Sequence, residues 1–399
     1  MQLNRNRLSE FDLIEKIEKD ELFEENRKQQ LFDFLNNFRD IQIVDQFIKD
    51  CPSCPGSTKE ILEDEFRSAV GGTLAIEGTI LKDEEIKESF EKADLCKRLE
   101  KKEQEAENTR RAYKYVKSEV DKDRSKFAYS ERQIKQIHRH LTINVQYVSP
   151  NVPGQYRDTQ ASFGYPQPKI SFFRSRVDIE AVMQKFINWL NKTSTGILSG
   201  NELVKAIMAH YYLTEIHPFG DGNGRTARAL ESLVLYANNI NPYCFPSLAK
   251  FWNDHRDEYI LRLGDIRSTC DPLDFVIWGI KGYLEQIKGV KERVLKKVKQ
   301  LMLQDYVRWL YFAKPHGKKI NQRIYGTLLL LIYLGKMPFN KFLSTPELKT
   351  LYRDRKMQTR YRDFKKMEKE LCLIRVFKED GEKFIEPNFR KLEELEYQV

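Results

Sequence analysis

Residues 217–228 read HPFGDGNGRTAR: one histidine, one acid, three glycines, an asparagine and two arginines within twelve positions. Upstream, SGNELVKAIMAHYYLTEI (199–216) sets Leu203, Ile207 and Tyr211 at helical spacing, behind Ser199 and Glu202 in capping-box spacing. Downstream, RTARALESLVLYANN places Ala227, Leu230, Val234 and Ala237 at helical intervals and stops before Pro242. The stretch therefore joins two helices, and its arginines fall in the first turn of the second.

Unpaired backbone N–H groups and the positive end of the helix macrodipole make that turn unfavourable for Arg225 and Arg228 unless an anion sits between them. A phosphate resolves the conflict. Gly222 and Gly224 let the backbone approach an anion closely, and Asn223 offers a further donor. Arg225 and Arg228 project from neighbouring helix positions and can grip different phosphates of one polyphosphate. Asp221 adds an oxygen ligand for the Mg²⁺ that a nucleotide brings, and His217 stands as a general base. No G-x-x-x-x-G-K-(S/T) occurs, so the chain has no P-loop. Taken singly, these residues would read as a tight turn, an interhelix histidine and surface ion pairs; their concentration argues for a site.

The stretch resembles the signature of the Fic family, H-x-F-x-(D/E)-G-N-G-R-x-x-R, at every specified position. The resemblance implies a helical enzyme that transfers AMP from ATP to a Ser, Thr or Tyr hydroxyl of a target protein. It gives His217 the role of base and Asp221 that of Mg²⁺ holder. Asn223 with the backbone of Gly222 and Gly224 would form the anion hole. Arg225 would stabilise the phosphates, and Arg228 would hold the γ-phosphate. PGQYRDTQASFGYPQPKISFF (153–173) resembles the family's flap, a hairpin that aligns a target peptide by strand addition. Tyr259 resembles an aromatic lining the adenosine pocket, with core packing as the alternative. GGTLAIEG (71–78) fits the family's inhibitory pattern (S/T)-x-x-x-E-(G/N) through Thr73, Glu77 and Gly78. Glu77 is then expected to restrain transfer, and the same carboxylate could position water for removal of AMP.

The rest of the chain frames this site. With 399 residues, two or three domains are expected. Residues 1–125 read as a helical region, with the inhibitory helix near 60–78 and apolar Phe11, Ile14, Ile17 and Leu22 near helical spacing. Residues 126–289 are assigned to the catalytic domain, 290–317 to a linker helix and 318–399 to a separate module. Helices at 320–335, 346–354 and 357–371, then a hairpin turning at Asp380-Gly381, spell a winged helix. In its third helix Tyr361, Phe364, Met367 and Leu371 are expected inward, and Arg360, Lys365, Lys366 and Lys369 outward. Together with the resemblance, these readings imply a mainly α fold: a Fic-type helical core with a short β-hairpin flap, an N-terminal helical region and a C-terminal winged helix-turn-helix.

Lys and Arg outnumber Asp and Glu by 68 to 59, a net +9 that favours nucleic acid or phosphorylated ligands. A DNA-binding regulator with a nucleotide-sensing Fic domain is therefore the alternative function, and exposed helical faces are compatible with a homodimer. No apolar run reaches the ~20 residues of a spanning helix, and the N-terminus lacks a signal-like stretch, which points to a cytoplasmic protein with no membrane partner. The six cysteines are scattered, and only CPSCP (51–55) has metal-like spacing, with no second pair nearby.

Overall fold

The computed structural model describes residues 55–147, 150–163, 169–170, 173, 175–192, 202–240, 248–312 and 320–395, together with 11, 13, 27–30 and 32. Contacts divide the chain into two compact units, Met1–Lys291 and Glu292–Val399. The sequence readings at Ile14, Ile17, Leu22, Ser199, the CPSCP cysteines and Cys244 lie outside the described residues.

In the first unit, α1 (Pro55–Ile76), α2 (Asp83–Asp94), α3 (Lys101–Lys122) and α4 (Glu131–Thr142) precede a two-stranded hairpin. The hairpin strands β1 (Ser162–Phe163) and β2 (Lys169–Ile170) pair antiparallel, with Ser162 opposite Ile170. Then follow α5 (Arg176–Asn191), α6 (Glu202–Ile216), α7 (Asn223–Ala237), α8 (Ala249–Asp254) and α9 (Arg256–Thr269). The helix α10 (Leu273–Phe312) begins in this unit.

Helices α6 and α7 form the centre. From Leu203 to Leu213 every residue of α6 is buried, and so is every residue of α7 from Arg225 to Tyr236. A helix buried all round has no solvent face, so the HPFGDG loop between these two is held between core elements. Around them, α3 turns Ala112, Val116 and Val120 inward at full burial, and α4 does the same with Ile134, Ile137 and Leu141.

Helix α1 reaches the centre by a close approach to α8: a Cβ on Gly72 would lie 2.9 Å from the Lys250 Cα, so only glycine lets the backbones pass. The helix ends at Gly78, whose φ of 88° is left-handed. Gly78 N–H donates to the Ala75 carbonyl and Thr79 N–H to that of Leu74, closing a Schellman cap. This termination fixes where Glu77, the last residue before the cap, presents its carboxylate.

The second unit has its own core, in which Leu303, Val307 and Leu310 of α10 meet Ile324, Leu328, Leu331, Phe342, Leu348 and Ile385. Its elements are α11 (Gln322–Leu334), β3 (Met337–Pro338), α12 (Phe339–Leu343), α13 (Pro346–Leu351), α14 (Met357–Lys365), β4 (Ile374–Glu379), β5 (Glu382–Pro387) and α15 (Arg390–Leu395). The strands form an antiparallel sheet in the order β3-β5-β4. Asp380 and Gly381, at φ 47° and 81°, make the two-residue turn between β4 and β5.

Two sequence expectations for the third helix need correction. Phe364 and Met367 are buried, but Tyr361 is 72% exposed, and Arg360 and Lys366 are half-buried while Lys365 and Lys369 are exposed. Residues 366–370 form a π turn, with Leu371 N–H donating to the Lys366 carbonyl. Tyr361 lies ahead of that turn, and two steps of three residues from Met367 carry it about 120° around the α-helix, out of the buried stripe. Among the described residues no helix is long and apolar enough to cross a membrane.

Candidate functional site

The loop after α6 is built to hold His217 in an unusual conformation. Its N–H still donates to the Leu213 carbonyl, as the last helical hydrogen bond, but its φ is 51°. Non-glycine residues rarely adopt this left-handed region, and such strain persists only where surroundings impose it. Arg157 imposes it: Nε donates to the His217 carbonyl at 2.7 Å, and the Arg157 N–H to the Pro218 carbonyl at 3.0 Å.

The His217 ring faces the Thr214 carbonyl through Nδ1 at 3.3 Å. A carbonyl only accepts, so Nδ1 carries the hydrogen and Nε2 keeps its lone pair. Burial pushes the imidazole pKa down to about 4, with the nearby Arg157 charge acting in the same direction. His217 is thus neutral at physiological pH.

A second histidine, which no local motif marks, shapes the loop from below. His138 of α4 accepts from the Gly154 N–H at Nδ1 and donates from Nε2 to the Asp221 carbonyl, both at 2.9 Å. Its ring stacks on Phe219 with centroids 3.8 Å apart. Buried completely, it has its pKa lowered to about 3, chiefly by desolvation. Asn223 closes the loop from inside, accepting from the Phe219 N–H and donating to the Phe219 carbonyl, each at 2.9 Å. Its side-chain amide is thereby committed to bracing the turn, and its backbone N–H is what the helix start offers an anion.

Helix α7 begins behind Gly222, at φ 75°, and its first turn presents backbone N–H groups beside both arginines. Arg225 and Arg228 are 4% and 1% exposed. Arg225 lies 3.3 Å from Asp221 Oδ1 and 3.9 Å from Glu105, with its guanidinium 5.3 Å from the Tyr147 ring centroid. The Arg225 Nε is buried and meets no acceptor among the described residues. Arg228 donates through Nε to the Thr73 hydroxyl at 2.6 Å, and through Nη2 to the Thr73 carbonyl at 3.1 Å and to Glu77 Oε1 at 2.6 Å.

Glu77 therefore lies on the helix start. A Cβ on Gly224 would come 2.4 Å from its Oε1, so the glycine is what leaves room for an oxyanion there. Burial works to raise the Glu77 pKa, but Arg228 and then Arg225 outweigh it and hold the carboxyl below its ordinary value. The Glu77 side chain keeps 37% exposure. One carboxylate of the chain thus sits against the helix start and pairs with Arg228, while Arg225 pairs with Asp221.

Asp221 sits at the mouth of this site with its carboxyl pKa raised by burial, while Arg225 pulls the other way. Its carboxylate takes a hydrogen bond from the Gly222 N–H. Among the described residues no group of three His, Cys, Asp or Glu side chains could hold a metal alone. Tyr259 is buried deeper, and its hydroxyl meets His210 Nε2 at 2.8 Å while His210 Nδ1 meets Glu231 Oε2 at 2.7 Å. Its ring packs on Trp252 at 5.4 Å between centroids.

The structure thus brings His217, Asp221, Gly222, Asn223, Gly224, Arg225, Arg228 and Glu77 together and sets Tyr259 in a buried polar chain beneath Arg228. The residues that sequence reading missed are Arg157, His138 and Glu105. Each acts across 60 or more positions of chain, where no spacing rule reaches.

Residues 128–235 match the model of the Fic/DOC family, so the chain carries a Fic domain. It is 30% identical over 189 residues to the protein adenylyltransferase Fic of Drosophila grimshawi and to that of Drosophila virilis. Each match covers 44% of this chain and 35% of the relative, so the chain spans about a third of the length of these relatives. Among solved structures, a Fic family protein from Desulfovibrio desulfuricans G20 covers 90% of this chain and 95% of its own, at a TM-score of 0.54 and 18% identity. Fic-1 from C. elegans matches at a TM-score of 0.50 and 20% identity, over 72% of this chain and 84% of its own. The mainly helical, Fic-type fold read from the sequence is the observed one.

Proposed function

We propose that this chain is a protein adenylyltransferase, transferring AMP from ATP to a Ser, Thr or Tyr hydroxyl of a target protein and restrained by its own Glu77. The carboxylate of Glu77 on Arg228, against Gly224, carries the reading: the site is built for an oxyanion, and the protein supplies a substitute.

When ATP enters, its α- and β-phosphate oxygens meet the backbone N–H groups at the start of α7, Arg225 grips the phosphates, and Arg228 turns to the γ-phosphate. The target hydroxyl gives its proton to His217 Nε2, its oxygen attacks the α-phosphorus, and the bond to the β-phosphate oxygen breaks, releasing pyrophosphate. The orphaned Arg225 Nε fits a phosphate, as does the helix start once Glu77 gives way. Asp221 fits a Mg²⁺ ion, which is bound by one or two carboxylates plus substrate phosphates and supplies neutralisation of pyrophosphate charge. The β1–β2 hairpin is suited to align a target segment as an added strand.

Incubation with α-labelled and, separately, γ-labelled ATP tests the reaction. Label from the α position alone is expected on protein. Label from the γ position alone would make the chain a kinase and end this reading.

A further inference from the structure

The second unit carries a feature that nucleotide transfer does not use. Residues 292–399 hold 25 Lys and Arg against 14 Asp and Glu, a net +11, whereas the remaining 291 residues sum to −2. The entire positive excess of the chain therefore lies in this unit. Three of its cations share one side of α14 and its π-turn extension. Gln358, Tyr361, Arg362, Lys365 and Lys369 are all exposed, at spacings of three, one, three and four, which is one helical face.

These charges are not compensated. Arg362 and Lys365 have no ion-pair partner among the described residues, nor do Arg353 and Arg355 in the turn before α14. Lys369 has only Glu368, at 3.8 Å. The β4–β5 hairpin adds an independent sign: Lys378 and Lys383 face each other directly across the ladder, and both are exposed. Like charges in that register destabilise a hairpin. The outer side of the hairpin, by contrast, is neutralised by Lys336 with Glu379 and Arg375 with Glu386. A surface that leaves cations unpaired on a helix and on the neighbouring hairpin bears self-repulsion that a polyanion relieves.

We propose that this unit binds duplex DNA, with the exposed face of α14 in the major groove and Lys378 and Lys383 on phosphates. A groove about 12 Å wide admits one α-helix. With its extension, residues 357–370 form a helix roughly 20 Å long. Gln358 and Arg362 have the side chains that read adenine and guanine edges, while Lys365 and Lys369 suit phosphates. An acidic protein surface would satisfy the charge but does not require a protruding helix beside a basic hairpin. Duplex RNA does not admit the helix, because its major groove is deep and narrow.

The test uses the full chain, a fluorescent 25-base-pair duplex DNA of mixed sequence, and anisotropy at several salt concentrations. Micromolar binding is expected at low salt, weakening steeply as salt rises. The triple variant Arg362→Ala, Lys365→Ala, Lys369→Ala should bind at least about tenfold more weakly, with a salt slope lower by roughly 2 for the two phosphate lysines. It should keep its helical circular dichroism and its nucleotide-dependent labelling, which separates a lost surface from a lost fold. No binding at low salt, or undiminished binding by the folded variant, would overturn the proposal. So would equal affinity for a duplex RNA of the same sequence or for polyglutamate, the latter pointing to an acidic protein partner. None of these outcomes depends on whether the Fic domain transfers AMP.

Discussion

In residues 1–291, Arg67, Arg110, Arg111, Arg124, Arg225, Arg228, Arg262 and Arg267 each sit within 4 Å of an acid. In residues 292–399, Arg353, Arg355, Arg362, Lys365 and Lys378 reach none among the described residues. Where the first unit buries such a cation, as at Arg225, Arg228 and Arg267, it must partner it, since an unpaired buried charge costs several kcal/mol. The second leaves them in water, where pairing gains little. Burial thus turns a charge into a component with a defined position, and exposure turns it into a field. The site in the first unit uses the first device and the basic face of the second unit the second, so each can be broken by a different experiment.

The largest effect is expected at His217. His217→Ala should lower AMP transfer by about 10²–10⁴-fold, the usual worth of a general base, while ATP affinity changes little because the ring touches the target hydroxyl and not the phosphates. Labelling from α-labelled ATP, beside calorimetric titration with ATP, checks both halves. An equal loss of nucleotide affinity would make His217 a structural residue.

Next in size is the ion pair at the helix start. Glu77→Gly should raise self-labelling and target labelling by one to two orders of magnitude, because freeing Arg228 for the γ-phosphate restores productive alignment, an effect on the order of 2 kcal/mol. Combined with Arg228→Ala, the gain should vanish. Unchanged labelling in the folded single variant would return TLAIEG to an ordinary helix end.

How far this was legible depends on where the partners lie. The twelve residues from His217 to Arg228 are contiguous, so their conflict with the helix dipole shows on the sequence itself. Glu77 was reachable because it closes a short pattern before a capping glycine. His138, Arg157 and Glu105 were not, since a hydrogen bond to a loop backbone 60–83 positions away, or an ion pair with an arginine 120 positions away, leaves no periodic trace. The commitment of the Asn223 amide to Phe219 was equally hidden, as either use suits an asparagine there. In the second unit the order of helices and the Asp380-Gly381 turn followed from period and turn chemistry. Tyr361 was misread because successive three-residue steps (361, 364, 367) drift about 60° each around an α-helix, which leaves the first of them in solvent.

A third prediction concerns Glu215, whose carboxylate accepts from Arg267 Nε at 2.6 Å with both side chains under 10% exposed. Glu215→Ala should destabilise the first unit by about 3–5 kcal/mol, because it strips a buried guanidinium of its counter-charge. Urea unfolding followed by circular dichroism measures it. A loss below about 1 kcal/mol would show that the pair behaves as a surface contact.

Acid should act more gently and with a definite sign. His138 and His217 titrate at about 3 and about 4 when folded, against about 6.5 unfolded. Above pH 6.5 both states are neutral and pH has no leverage through them. Below it the unfolded chain binds protons first, so stability falls from pH 6.5 down through 4, by up to about 1.4 kcal/mol per unit for each ring. His138→Gln should flatten this acid limb in urea titrations at pH 7, 6 and 5. A limb just as steep in that variant would assign the loss to carboxylates instead.

The smallest effect should come from the second unit. Lys336 and Glu379 form an ion pair while remaining 42% and 47% exposed, and both keep full access to water and salt. Separating them costs a screened interaction and returns side-chain entropy, so Glu379→Ala should change stability by less than about 1 kcal/mol. The same substitution removes an acid from the β4–β5 hairpin and makes its field more positive, so duplex DNA should bind slightly tighter at low salt, with the difference gone at high salt. Stability and DNA affinity are then expected to move independently in this unit, whereas at Glu77 the ion pair and the function are one contact. A Glu379→Ala loss of several kcal/mol in urea unfolding would mean that the hairpin charges are structural after all, and the contrast between the two units would fail at that point.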